Sequence, residues 1–220
     1  MEPSNPVIIC GSGSLLHEVP FRLPGYPLAA ISTAIRLVPE PDFWLLTDRV
    51  KEDHGAAGLK ALANPKVMKV VPADRDLAYR GVPNVTMVRR FQPGDRGRAF
   101  LDGKKGVLTG NCNRSMLFAV QWLSGRFDTL IFAGVDMQVE DLKKPWGHDF
   151  FPPHRTKHRQ NHVDGMKRGL NEEFRLLKQW TPLALDKGVR WLSWSPGSRI
   201  EEIMESYTWM PIKSPSNSES

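Results

Sequence analysis

The sequence predicts a single α/β domain, a mostly parallel sheet flanked by helices, with a basic, histidine-rich lid. Three observations lead there. Short apolar runs ending in small or polar residues alternate with helical segments, as successive βαβ units require. The clearest run, Leu130–Ala133 closed by Gly134, is apolar throughout, the pattern of a strand buried on both faces. Finally, four of the six histidines, His148, His154, His158 and His162, fall in one basic stretch, "WGHDFFPPHRTKHRQNHVD" (146–164).

The elements follow in chain order. "PVIICGSGSLL" reads as a buried strand that breaks into a Gly-Ser turn before a helix. "PLAAISTAIRLV" is a second strand rich in small residues, and "PDFWLLTDRV" a third, opened by Pro41 and closed by Thr47–Asp48. "KALANPKVMKVVP" is a helix end, a turn at Asn64–Pro65 and a strand, and "NVTMVRRFQ" alternates like another. "NRSMLFAVQWLSG" spaces Met116, Leu117, Val120, Gln121 and Leu123 along one helical face and can stop at Gly125. After the strand "FDTLIFAGVDMQ", the segment from Val163 to Gly188 is a long helix or helix pair, broken near Pro182. "VRWLSWSPGSRIEEIM" supplies a last strand, a Ser-Pro-Gly-Ser turn and a short helix. One domain over 1–210 accounts for all of this, leaving 211–220 as a disordered Ser/Pro tail.

Composition narrows the function. No apolar run approaches the roughly 20 residues that span a bilayer, so no membrane span is expected. The N-terminus lacks a signal-peptide pattern, and two cysteines make no disulfide framework, so a reduced, cytoplasmic protein is expected. The net charge of +6 is concentrated. Residues 143–169 hold seven Lys/Arg against Asp149 and Asp164, and residues 75–105 hold eight against Asp76, Asp95 and Asp102. Such clustering points to a polyanionic partner (a phosphate, a nucleotide, DNA or RNA) or to a solvated basic surface.

In parallel sheets ligands sit at the carboxyl ends of the strands. That rule collects Gly11–Ser14, Ser32–Thr33, Thr47–Asp48, Thr109–Asn113, Gly134–Gln138 and Ser195–Ser198 on one rim. Gly11, Ser12, Gly13 and Ser14 offer backbone amides and hydroxyls to a phosphate. Leu16 breaks G-x-G-x-x-G, no Lys-Ser/Thr follows as a Walker A would require, and a plain tight turn explains the stretch nearly as well. Thr109, Gly110 and Asn111 open a helix, where they either read a ligand or cap it. Asp136 ends the strongest strand and suits a ribose hydroxyl, a base or a metal; Gln138 stands where a D-x-D motif has its second acid.

His154, His158 and His162 are spaced for one helical face. A zinc site, a general base and a solvated surface all fit this spacing. Arg155, Lys157 and Arg159 would repel a metal, which favours a base over zinc. Trp146 beside them is the tryptophan best suited to stack on a base or sugar.

Taken in order, "IICGSGSLL", the "TGN" turn with its helix, "IFAGVDMQ" and "WSPGS" resemble the compact Rossmann-like bacterial sialyltransferases that use CMP-sialic acid. The same motifs resemble related 6-hydroxymethylpterin pyrophosphokinase-like proteins and phage homologues, over about residues 7–205. The resemblance implies that Gly11, Ser12 and Gly13 lie under the nucleotide phosphates, with Ser12 where the family often has Asn. It places Thr33, Thr47 and Asp48 along the ribose-phosphate, matches Gly134 and Asp136 to a Gly-x-Asp, and matches Ser195–Ser198 to a Cys-Pro-Asn-Ser turn with Gly197 for Asn. His162 occupies the place of the lid histidine that serves as general base. The family's paired lid tyrosines have no counterpart, since Tyr26, Tyr79 and Tyr207 lie elsewhere.

The expectation is a glycosyltransferase-like enzyme moving a sugar from a nucleotide-sugar donor to an acceptor hydroxyl, with a modified base of phage DNA as one acceptor. His162 is the base, His158 and His154 its reserves, and Arg155, Lys157 and Arg159 offset the leaving phosphate. No tightly bound cofactor is expected. Divalent-metal dependence separates this reading from pyrophosphoryl transfer to a hydroxymethyl heterocycle, with Asp136 or Asp48 on the metal. A non-catalytic nucleic-acid-binding protein of the same fold is the third class.

Overall fold

A computed structural model describes residues 3–13, 25–38, 40–47, 50, 54–89, 99–101, 106–108, 114–137 and 159–208. Ser14, Asp48, Thr109, Gly110, Asn111, Trp146, His154, Arg155, Lys157, His158 and the 211–220 tail lie outside them. So does the stretch that would form the body of the lid.

Eight parallel strands form one sheet among the described residues. They are β1 (Pro6–Cys10), β2 (Leu28–Ile31), β3 (Phe43–Leu45), β4 (Met68–Pro72), β5 (Val85–Val88), β8 (Thr129–Ala133), β9 (Arg190–Trp194) and β10 (Glu205–Ser206). Two more strands, β6 (Ala99–Leu101) and β7 (Gly106–Leu108), make a separate antiparallel hairpin. The order across the sheet is β10-β9-β8-β1-β2-β3-β4-β5. The chain therefore builds outward from β1 in one direction, then returns to β8 on its other side and builds outward again. This is a Rossmann-like, doubly wound sheet whose order reverses between β1 and β8.

Strand alternation sorts the core into two layers. Val7 and Ile9 of β1, with Leu130 and Phe132 of β8, face α2 (Ser115–Ser124) and α3 (Arg159–Asp186). Ile8 and Cys10, with Ile131 and Ala133, face the other way, toward Trp44, Leu46 and Ala61 of α1 (Gly55–Ala63). Both sets are fully buried, so the uninterrupted apolar runs of β1 and β8 have the physical cause expected of them.

The helices differ from expectation in two ways. α2 was expected to show one apolar face, but Met116 through Ser124 are all buried. It lies between the sheet, α3 and the β6–β7 hairpin and has no side left for water. α3 begins at Arg159, four residues before the expected start, and runs unbroken through Pro182. The ring removes one donor near the helix end, where Lys178 is exposed and its carbonyl can be hydrated, while Thr181 Oγ1 donates to Leu177 O at 2.8 Å. Because α3 starts at Arg159, Arg159 and His162 lie on a helix, while positions 154 and 158 are outside the described residues.

At the opposite, amino edge of the sheet Lys69 is wholly buried in β4, and burial lowers its ammonium pKa. Its Nζ donates to Asn64 O at 2.7 Å and Val67 O at 2.9 Å, tying down the turn that leads from α1 into the strand. Lys69→Met keeps the stem but removes both donors. It should lower stability by about 2 kcal/mol, read as a fall in the urea midpoint at unchanged slope.

Candidate functional site at the strand-order reversal

The turns after β1 and β8 are packed against each other. Gly11 N donates to Ala133 O at 2.9 Å, and Gly13 N donates to Gly134 O at 2.7 Å. A Cβ on Gly11 would stand 2.5 Å from Gly134 O and 2.8 Å from Val135 Cγ2. A Cβ on Gly13 would stand 2.5 Å from the carboxyl group of Asp136. At Gly11 the obstacle is backbone, so only glycine fits; at Gly13 it is the movable end of the Asp136 side chain. Gly134 itself has φ +61°, a left-handed conformation that glycine adopts without strain.

The turn after β9 closes the third side. Ser195 is fully buried, and its hydroxyl bridges β8: it donates to Phe132 O at 3.4 Å and accepts from Val135 N at 3.3 Å. Arg199 N donates to Asp136 O at 3.2 Å. Ser198 is buried beside that bond, and its Oγ makes no hydrogen bond among the described residues. Gly11, Ser12, Gly13, Gly134, Asp136, Ser195 and Ser198 thus come together. Within the group, Ser195 serves as a brace, whereas Ser12, Gly13 and Asp136 keep partial exposure.

The remaining rim residues stand to one side. Thr33 lies in the 3-10 segment Ser32–Arg36 after β2 and is partly exposed. Thr47, after β3, is buried, and its hydroxyl lies 3.0 Å from Ser115 Oγ at the start of α2. That hydroxyl is spent on joining strand to helix. His162 and Arg159 are placed as backbone positions in the first turn of α3.

Sequence reasoning missed a second cluster on this rim. Arg114, immediately before α2, pairs with Glu173 on α3, Nη1 to Oε1 3.6 Å, across Gly169. Burial pushes the Glu173 carboxyl up to about 7, and the Arg114 charge pulls it partly back. Its one signal was a charged residue four after Gly169 and four before Leu177, on the stripe of α3 that faces the core. By contrast Cys10, at the end of β1, is pushed up to about 12 by burial and is no thiolate nucleophile. Among the described residues no group of three His, Cys, Asp or Glu could hold a metal ion, and no helix is long and apolar enough to cross a membrane.

The fold defines the class: a doubly wound parallel α/β protein of Rossmann type, with its strand order reversing between β1 and β8. Beyond the class, no family model, no curated protein and no solved structure matches the chain.

Proposed function

We propose that the protein binds a nucleotide or nucleotide-sugar between the ends of β1 and β8 and acts as a glycosyltransferase-like enzyme. The observation that carries this reading is the closure of two glycine turns at the point where strand order reverses, with the Asp136 carboxylate against Gly13. Ser12 and Gly13 are partly exposed and can approach a phosphate, while the amides of Gly11 and Gly13 are bonded to the β8 turn, and a carboxylate beside them accepts hydrogen bonds from ribose hydroxyls. His162 is the general base toward the acceptor hydroxyl, and Arg155, Lys157 and Arg159 offset charge on the leaving phosphate. The two basic stretches suit a polyanionic acceptor such as DNA.

Thermal-shift measurements with CMP, UDP, GDP and ATP test the reading. A ligand at about 100 times its Kd stabilises by roughly 2.7 kcal/mol, a rise of about 5–11 °C for a domain of this size. One nucleotide should give such a rise, and Gly13→Ala, which pushes the Asp136 carboxylate aside, should abolish it. No shift with any of the four removes the proposal.

A further inference from the structure

Arg114 and Glu173 meet on the seam between α2 and α3. The Glu173 side chain is 9 % exposed, that of Arg114 46 %. Gly169, one turn before Glu173, lets the guanidinium cross the helix, since a Cβ there would collide with Arg114 Cζ, Nη1 and Nη2. Ser115, the next residue after Arg114, is bonded to Thr47 at the end of β3, so this end of the seam lies on the carboxyl rim. At 3.6 Å the pair is long for a hydrogen bond, so Glu173 holds the guanidinium loosely. A half-exposed, fork-shaped cation is therefore held from one side by a buried carboxylate.

We propose that Arg114 is an anion-contact residue of the rim and that Glu173 is its positioning residue. The carboxylate holds the guanidinium over Gly169, and a phosphate or sulfate group takes the exposed side of the same fork. The inference rests on the rim being the ligand edge, as in the reading above, and not on the ligand being a nucleoside.

The two charges on Arg114 compete, which gives the pH dependence its sign. A bound anion draws on the guanidinium, so Glu173 loses support for its ionised form and takes up a proton more readily. Anion affinity therefore falls as pH rises through about 7, where Glu173 ionises. The same group acts on stability. Its folded pKa lies above the ordinary value of 4.5, so its contribution is full below about 4.5 and is lost as pH rises through about 7. Arg114 is the charged group that faces Glu173 from α2. β7, also against α3, brings Gly106–Leu108, none titratable. On α3 itself Glu172 pairs with Arg175, both side chains more than half exposed, and Arg199, from the segment after β9, is stacked on Phe174 and bonded to Asn171.

Sulfate is the probe, because it keeps its double charge from about pH 6 to pH 8. It is titrated into the full chain and followed by tryptophan fluorescence. Wild-type affinity should fall by up to tenfold over that range, the limit for one group with a pKa of about 7. Glu173→Gln should flatten the profile, and Arg114→Gln should weaken binding about tenfold or more throughout. Arg168→Gln, at an exposed α3 position, should change little. If Arg114→Gln fails to fold, Gly169→Ala, which displaces the guanidinium, must weaken sulfate binding instead. Wild-type affinity in folded Arg114→Gln, or no sulfate binding by the wild type, overturns the inference. An unchanged slope in Glu173→Gln overturns the role of Glu173. A nucleotide shift independent of Arg114 keeps the function and sinks the inference. Arg114-dependent sulfate binding without a nucleotide shift does the reverse.

Discussion

Gly11→Ala is expected to destabilise the protein by about 3 kcal/mol, at the upper end for an added core methyl, and to lower Tm by roughly 6–12 °C. The new methyl would meet Gly134 O at 2.5 Å, and that oxygen cannot retreat. Gly134 accepts from Gly13 N at 2.7 Å and sits in a left-handed turn, so moving it costs a hydrogen bond and a favoured conformation. Nor can Gly11 withdraw, because its own amide is bonded to Ala133 O and β1 is held by strands on both sides. Gly81→Ala is the comparison. It has φ +81° with open space around it, so only backbone strain is added, about 1 kcal/mol. Calorimetry of the two variants decides the matter. Equal losses would mean that the β1 and β8 turns are not locked together. Gly13→Ala differs again: its neighbour is the movable end of Asp136, so it should cost little stability and act on ligand binding.

How far the fold was legible depends on what fixes each element. β1, β2, β3 and β8 are buried on both faces, and their apolar runs announce this, whereas β4 and β9 bury Lys69 and Ser193 within otherwise apolar strands. β10 carries only Glu205 and Ser206, both exposed, and exists because the chain passes beside β9, where Tyr207 N donates to Ser193 O at 2.6 Å. No local pattern marks such a strand. The antiparallel pairing of β6 and β7 has a local signal: "AFL" and "GVL" flank "DGKK", and Asp-Gly between two apolar runs is a hairpin signal. Gln121 was placed on the apolar face of α2 by its spacing, which could not show that the helix is enclosed on every side.

The site divides along the same line. The glycine turn, Asp136 and the Ser-Pro-Gly-Ser turn were found because strand ends at the reversal of order collect by topology alone. What each side chain does there is set by distant partners. Ser195 and Thr47 stand at strand ends, where ligand contacts are expected, and their hydroxyls are bonded to β8 and to the start of α2. Arg114 and Glu173 are linked only by the packing of α2 on α3, with Gly169 making the space. A glycine in mid-helix, followed one turn later by an acid on the core-facing stripe, is the pattern that betrays such a pair.

His162→Ala is expected to slow sugar transfer by about 10²–10⁴-fold while the fold stays intact, the range for loss of a general base. The position follows from α3. Arg199, just beyond the end of β9, stacks on Phe174, so Phe174 stands at the level of the rim. Position 162 is twelve residues earlier, roughly 18 Å farther along the helix axis. A base there lies well away from the glycine turn that would hold the phosphates, toward the sugar and acceptor end of an extended donor. The substitution should therefore leave the nucleotide-induced thermal shift unchanged while the rate collapses. Loss of both would instead place His162 in donor binding. His162→Gln, which keeps a polar group but cannot take up the proton, should be as slow as Ala. A full rate in either variant, measured with whichever donor stabilises the protein, would end the assignment and return the role to His158 or His154.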